Sequence, residues 1–295
     1  MIWVIGSGGM LGTEVCRQLE NCGIQHVKTG LDVDITDLDA LRSFACRWSV
    51  DWIINCAAYT AVDKAESEVE LCKKVNEDGV ANIALVAREC GATLIHISTD
   101  YVFDGTGTVP YTEDMNLSPL GVYGKTKAAG EAAVIKNTEK YYILRTAWLY
   151  GWAGKNFVYT MIRAMNSRDS LKVVNDQKGT PTFAGDLARV ILKIIDQKID
   201  YGIYHCTDLG ETTWWEFARE IQSQAISAGW LNENGKKCTV NPCSTEDYPT
   251  PAKRPAYSVL SKERIQKGLG FTLPQWQDSL KVFLNSDFFD KGMIL

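Results

Sequence analysis

Apolar positions in the first half of the chain fall into short continuous runs, separated by stretches with helical spacing. Ile2-Trp3-Val4-Ile5, His26-Val27-Lys28-Thr29, Trp52-Ile53-Ile54-Asn55-Cys56-Ala57-Ala58, Thr93-Leu94-Ile95-His96-Ile97-Ser98 and Tyr142-Ile143-Leu144-Arg145-Thr146-Ala147 read as five strands. Several are apolar at successive positions, as strands buried on both faces are. Between them, helical periodicity follows Gly12 through Val15 to Leu19, crosses Val62–Cys90 as one long helix or two, and opens again at Val122 to end near Asn137. This alternation predicts βαβ units and an α/β fold with a doubly wound, Rossmann-like parallel sheet. It weakens after Thr182, where helical stretches over Asp186–Lys198, Thr213–Gly229 and Gln275–Leu284 are joined by loops containing Pro and Gly. The expected division is a core over residues 1–182 and a smaller lobe over 183–295, packed on the sheet's carboxyl edge. Chain exchange between the two is left open. No linker marks the boundary, so the lobes are expected to share one rigid body.

The first strand stops at Gly6-Ser7-Gly8-Gly9-Met10-Leu11-Gly12. Backbone without Cβ atoms can approach a pyrophosphate there, and the helix N-terminus behind it offers free N–H groups and partial positive charge. The spacing is G-x-x-G-x-x-G, not the commoner G-x-G-x-x-G, and weighs little alone. Its place at the first strand-to-helix turn makes residues 1–182 a candidate dinucleotide-binding core. The second strand ends in Thr29-Gly30, where many such folds carry an acid for the ribose 2′-OH. The missing acid, with Lys28 close by, favours NADPH slightly over NADH. Asp34 and Ile35 could flank an adenine, and Ala57-Ala58-Tyr59-Thr60 forms an exit of mostly small residues past which a cofactor could run.

Tyr123 and Lys127 are four apart, on one face of a helix. A lysine ammonium stabilises a phenolate and lowers the phenol pKa toward neutrality, which suits acid–base work. Thr99, at the carboxyl end of the fourth strand, supplies a hydroxyl for a carbonyl oxygen, and ligands of open α/β sheets bind at that edge. The pair alone is about what chance gives; its convergence with the glycine turn and Thr99 carries the inference. Trp148 lies at the same edge and is placed to stack on a substrate, whereas Trp214-Trp215 reads as lobe packing.

Composition narrows the partners. The 295 residues carry a net charge of −5 with no Lys/Arg block, which argues against nucleic acid. Nine cysteines, an odd number without a C-x-x-C, read as free thiols in a reducing compartment. The three histidines have no ligand spacing, so no zinc or other metal site is expected. The chain enters a strand at once, without a signal peptide, and no apolar run approaches the ~20 residues of a membrane span. Cytoplasmic location and no membrane partner are the expectations.

These residues carry a resemblance. The glycine turn and Tyr123-Gly124-Lys125-Thr126-Lys127 are similar to the extended short-chain dehydrogenase/reductases. Asn55–Glu66, Ser98–Gly105, Arg145–Gly151, Asn156-Phe157, Asp176–Thr182 and Pro251–Pro255 resemble, more narrowly, the dTDP-4-dehydrorhamnose reductase family. The resemblance implies reduction of the 4-keto group of dTDP-4-dehydro-L-rhamnose by NADPH or NADH, in rhamnose and polysaccharide biosynthesis. It implies that Gly6, Gly9, Met10, Leu11 and Gly12 meet the pyrophosphate and that Asp34 and Ile35 border the adenine. Ala58, Tyr59 and Thr60 would line the cofactor, and Tyr123 and Lys127 would bind its nicotinamide ribose. Thr99, Tyr123 and Lys127 would be catalytic, with Thr99, Asp100, Trp148, Asn156 and Arg254 on the nucleotide-sugar substrate. Some members bind Mg2+ between subunits through glutamates. Glu14 matches one such position without identifiable partners and reads as a solvated helix residue, which leaves Mg2+, and the choice of monomer or homodimer, open. The rivals are a reductase of another NDP-4-keto-6-deoxy sugar and a non-catalytic dinucleotide-binding regulatory subunit.

Overall fold

Alternate side chains of Ile2–Ile5 go to opposite sides of a sheet. Ile2 and Val4 join a core with Leu11, Val15, Leu187 and Ile191, while Trp3 and Ile5 join a second core with Leu41, Ile83 and Ala87. A strand buried on both faces is what the continuous apolar run implied. The computed structural model describes residues 1–294. Its central sheet holds β1 (Ile2–Ile5), β2 (His26–Thr29), β3 (Trp52–Asn55), β4 (Thr93–Thr99), β5 (Tyr141–Thr146) and β6 (Gly202–His205), in the order β6-β5-β4-β3-β1-β2. Every neighbouring pair is parallel. The order reverses at β1, and the crevice beyond the strand ends there is where such sheets bind ligands.

Three boundaries differ from expectation, each for a local reason. β3 stops at Asn55, not Ala58, because the Asn55 side chain accepts the N–H of Ala57 (3.0 Å) and turns the chain out of the sheet. The Val62–Cys90 stretch is broken into Val62–Ala65, Val69–Lys73, a π-turn over Lys74–Asp78, and Gly79–Cys90. The sheet also has a sixth strand, β6, whose four residues were too short a signal inside a helical region. The chain therefore crosses residue 182 differently from the expected division. Helix Ala184–Gln197 and β6 belong with the sheet, while helix Phe157–Ser167 packs with Trp214–Ser227 and Trp276–Leu284 around Tyr150, Ile162, Phe217 and Phe283.

Glu14 is corrected as well. It is buried, not solvated: its carboxylate accepts from Arg17 (Nε, 2.9 Å) and Gln18 (Nε2, 2.8 Å), and Gln18 also donates to the carbonyl of Gly185 (2.8 Å). Gln18 thereby ties the first helix, Met10–Asn21, to the start of Ala184–Gln197, and Glu14 holds Gln18 in place. Among the described residues no cluster of three or more His, Cys, Asp or Glu side chains is placed to hold a metal ion. All nine cysteines are free, and no helix of the described residues is long and apolar enough to cross a membrane.

Candidate active site

The glycine turn opens into a cleft of about 540 Å³ at the carboxyl edge of the sheet. Gly6 takes φ +75°, and a Cβ there would stand 2.6 Å from the backbone N of Ala57. A Cβ on Gly12 would stand 2.2 Å from the carbonyl O of Gly6. These two glycines let the turn close, whereas Gly9, Met10 and Leu11 form the cleft wall. No side chain caps the helix Met10–Asn21, and its first turn holds no acid. Its N–H groups are thus available to an anion, which is how a dinucleotide pyrophosphate is held.

The opposite wall is Cys56–Ala58 and Thr60. Two buried asparagines hold this segment from behind. Asn55 accepts from Ala57 N–H and donates from Nδ2 to His96 Nδ1 (3.1 Å), which leaves the His96 proton on Nε2. Burial holds His96 neutral, its pKa well below the ordinary value. Asn76, set by the π-turn, accepts from Tyr59 N (2.8 Å) and donates to Tyr59 O (3.1 Å). Tyr59 itself points away and donates to Glu68 (2.6 Å), so only its backbone serves the wall. Nothing in the periodicity singled out Asn76; the signal was a short polar residue in the middle of a helical run.

At the adenosine end, Ile35 is buried in the core and Asp34 is exposed, accepting from Thr36 N (2.9 Å) and Oγ1 (2.8 Å). Neither lines the cleft. Beyond Gly30, Asp32 folds back, and its Oδ1 accepts from Gly30 N at 2.6 Å. Lys28 lies 3.6 Å from Glu20.

Tyr123, Lys127, Thr99, Asp100 and Trp148 all reach the cleft. Helix Val122–Asn137 carries the first two, and Glu66 accepts from its Val122 N–H (2.9 Å) at the end where an anion is favoured. Lys127 is buried, donates to the carbonyl of Ile97 (2.5 Å), and burial lowers its pKa to about 8 against the pull of Glu131. Part of Tyr123 faces the cleft. Burial pushes the pKa of its phenol up, with the Thr99 hydroxyl acting in the opposite direction. Asp100 is buried and accepts from Thr99 Oγ1 (2.9 Å) on one oxygen, while its other oxygen is enclosed as well and the Ser258 hydroxyl favours the charged form. Burial raises its pKa to about 6.

Trp148 has φ +46°, a conformation that costs a bulky residue about 1–3 kcal/mol and clusters at functional sites. Its indole stacks on Trp214 at 3.6 Å between centroids, and Trp214 packs against the lobe core as expected. Trp215 packs too, donating to the carbonyl of Val240 (2.9 Å). Trp214 lines a second cleft of about 350 Å³ with Phe157, Met161, Lys172, Tyr248 and Arg254, and Tyr101 stands in the wall of both clefts. Asn156 reaches neither: it caps helix Phe157–Ser167 through Tyr159 N (3.2 Å) and donates to the carbonyl of Gly151 (2.8 Å).

A parallel sheet with an uncapped glycine-turn helix facing a Thr, Tyr and Lys across one cleft is the architecture of the extended short-chain dehydrogenase/reductases. The family model described as RmlD substrate binding domain matches residues 1–288. The chain belongs to that family, the dTDP-4-dehydrorhamnose reductases. It is 42% identical to the dTDP-4-dehydrorhamnose reductase of Aggregatibacter actinomycetemcomitans, over 94% of this chain and 96% of that protein. It is 38% identical to the spore coat polysaccharide biosynthesis protein SpsK of Bacillus subtilis, over 96% of each. The crystal structure of the Bacillus anthracis dTDP-4-dehydrorhamnose reductase in complex with NADP superposes with a TM-score of 0.90, at 37% identity over 96% of this chain and 97% of that one.

Proposed function

We propose that the protein reduces the 4-keto group of dTDP-4-dehydro-L-rhamnose to give dTDP-L-rhamnose, with a reduced nicotinamide dinucleotide as co-substrate. The observation that carries this reading is the meeting of Gly9–Leu11, Thr99, Tyr123 and Lys127 on one cleft. The dinucleotide, when bound, supplies the hydride that the sugar C4 receives. Gly9–Leu11 hold the pyrophosphate, and Lys127 serves the ribose on the sheet side. Thr99 donates to the sugar carbonyl oxygen as charge develops there, and Tyr123 gives that oxygen its proton. A raised phenol pKa suits this direction, since it keeps Tyr123 protonated until the oxygen becomes basic. Lys127, charged below about pH 8, then steadies the phenolate.

Asp100, in the cleft wall, contacts the sugar, and Trp148 stacks on it. The second cleft suits a nucleoside diphosphate: aromatic and apolar walls for the base, Lys172 and Arg254 for the charge. The test is product analysis after mixing protein, NADPH or NADH, and dTDP-4-keto-rhamnose, with kcat/KM compared across other NDP-4-keto sugars. Formation of dTDP-L-rhamnose with the highest kcat/KM supports the reading. Absence of cofactor oxidation with every sugar would leave a dinucleotide-binding subunit.

A further inference from the structure

Arg254 does not stand free at the edge of the second cleft. Its Nη2 donates to Asp63 Oδ2 (2.6 Å) and its Nη1 to the Tyr101 hydroxyl (2.8 Å). Asp63 stands 191 residues away along the chain, one residue after Val62 in the wall of the first cleft. It also accepts from the backbone N–H of Ala252 through Oδ1 (3.3 Å), so one carboxylate holds the 252–254 segment at two points. Tyr101, the third member, stands where the two clefts meet, with its ring edge-on to Tyr123 at 5.5 Å.

We propose that Asp63 is a positioning residue for sugar-nucleotide binding. It takes one side of the Arg254 guanidinium and so presents the remaining N–H groups at the seam of the clefts, where a diphosphate joining base to sugar must lie. This rests on the reading of the second cleft as the nucleoside-diphosphate site. A guanidinium carries five N–H donors in a rigid fork, so two can be spent on Asp63 and Tyr101 while others meet a phosphate. An untethered arginine loses much rotamer freedom when it must order around a ligand; the tether removes that cost from the binding step. Asp63 could have the opposite effect, masking the cation that the diphosphate needs. The two differ in sign, so a measurement separates them.

The variant is Asp63→Asn, which keeps an acceptor for Ala252 N–H and removes the charge that holds Arg254. Positioning predicts that KM for the sugar nucleotide rises about tenfold, as expected for releasing one long side chain. It also predicts kcat within about twofold of wild type, unchanged dinucleotide Kd, and partial recovery in Asp63→Glu. The double variant Asp63→Asn/Arg254→Ala should be no worse than Arg254→Ala, because Asp63 acts only through that arginine. A lowered or unchanged KM, additive losses in the double variant, or loss of dinucleotide binding in Asp63→Asn would each overturn the proposal. If the wild-type protein turns over no sugar nucleotide, the functional reading itself fails, a result distinct from these.

Discussion

Asp100 and Lys127 show how burial tunes single groups at this site. Asp100 is ionised only above about pH 6, and as a carboxylate it strengthens the hydrogen bond from Thr99 beside the sugar. The kcat/KM for the sugar nucleotide should therefore rise through about pH 6 and level off above it, and Asp100→Asn should lack that rise; a wild-type profile in the variant would contradict the role. Lys127 runs the other way. Its ammonium is fully present below about pH 8 and is lost above it, so dinucleotide affinity measured by fluorescence should weaken as pH climbs past 8, and Lys127→Met should be weak and flat across the range. The chemical types at positions 99, 123 and 127 were legible in the sequence because spacing puts them on one helix face and one strand end. The pKa directions were not. Spacing reports who is near, whereas the Tyr123 and Asp100 shifts come mainly from burial, which the packing of the whole chain decides.

Elements set the geometry that these groups use. Trp148 follows β5 with a positive φ, and Gly179 on the short strand Lys178–Gly179 leaves the space its indole fills: a Cβ there would stand 2.6 Å from the ring. Gly179→Ala should displace the indole from Trp214, raising KM for the sugar nucleotide about tenfold with little change in dinucleotide affinity, as steady-state kinetics would show. The helix Val122–Asn137 and the glycine turn were recognisable because their patterns are local. β6 and the π-turn over Lys74–Asp78 were not, because four residues carry little periodicity and a single extra residue in a turn leaves none. Asp32 likewise reaches the end of β2 only through a fold-back that a position count cannot see.

At the scale of the whole molecule, a buried ion pair anchors the helix Val122–Asn137 to the sheet. Arg145 on β5 donates from Nε (2.9 Å) and Nη2 (2.7 Å) to Glu131, and Ser98 on β4 donates to the same carboxylate (2.5 Å). Arg145 also meets His205 on β6 at 3.3 Å, so the network spans three strands and a helix. Arg145→Met should leave Glu131 charged and unpaired and cost about 3–5 kcal/mol in chemical denaturation; a loss below about 1 kcal/mol would contradict the importance of the pair. The weakening of the alternation after Thr182 was readable, but the packing of helix Ala184–Gln197 and β6 with the sheet was not, since that is decided by which apolar faces meet, not by their order. The account as a whole depends on Tyr123 being the proton donor beside a bound dinucleotide. Its most direct test is Tyr123→Phe, followed through both dinucleotide Kd and kcat with the 4-keto sugar nucleotide. The account predicts a Kd within about twofold of wild type and a kcat lower by about 10²–10⁴-fold; a Phe variant that turns over at the wild-type rate contradicts it.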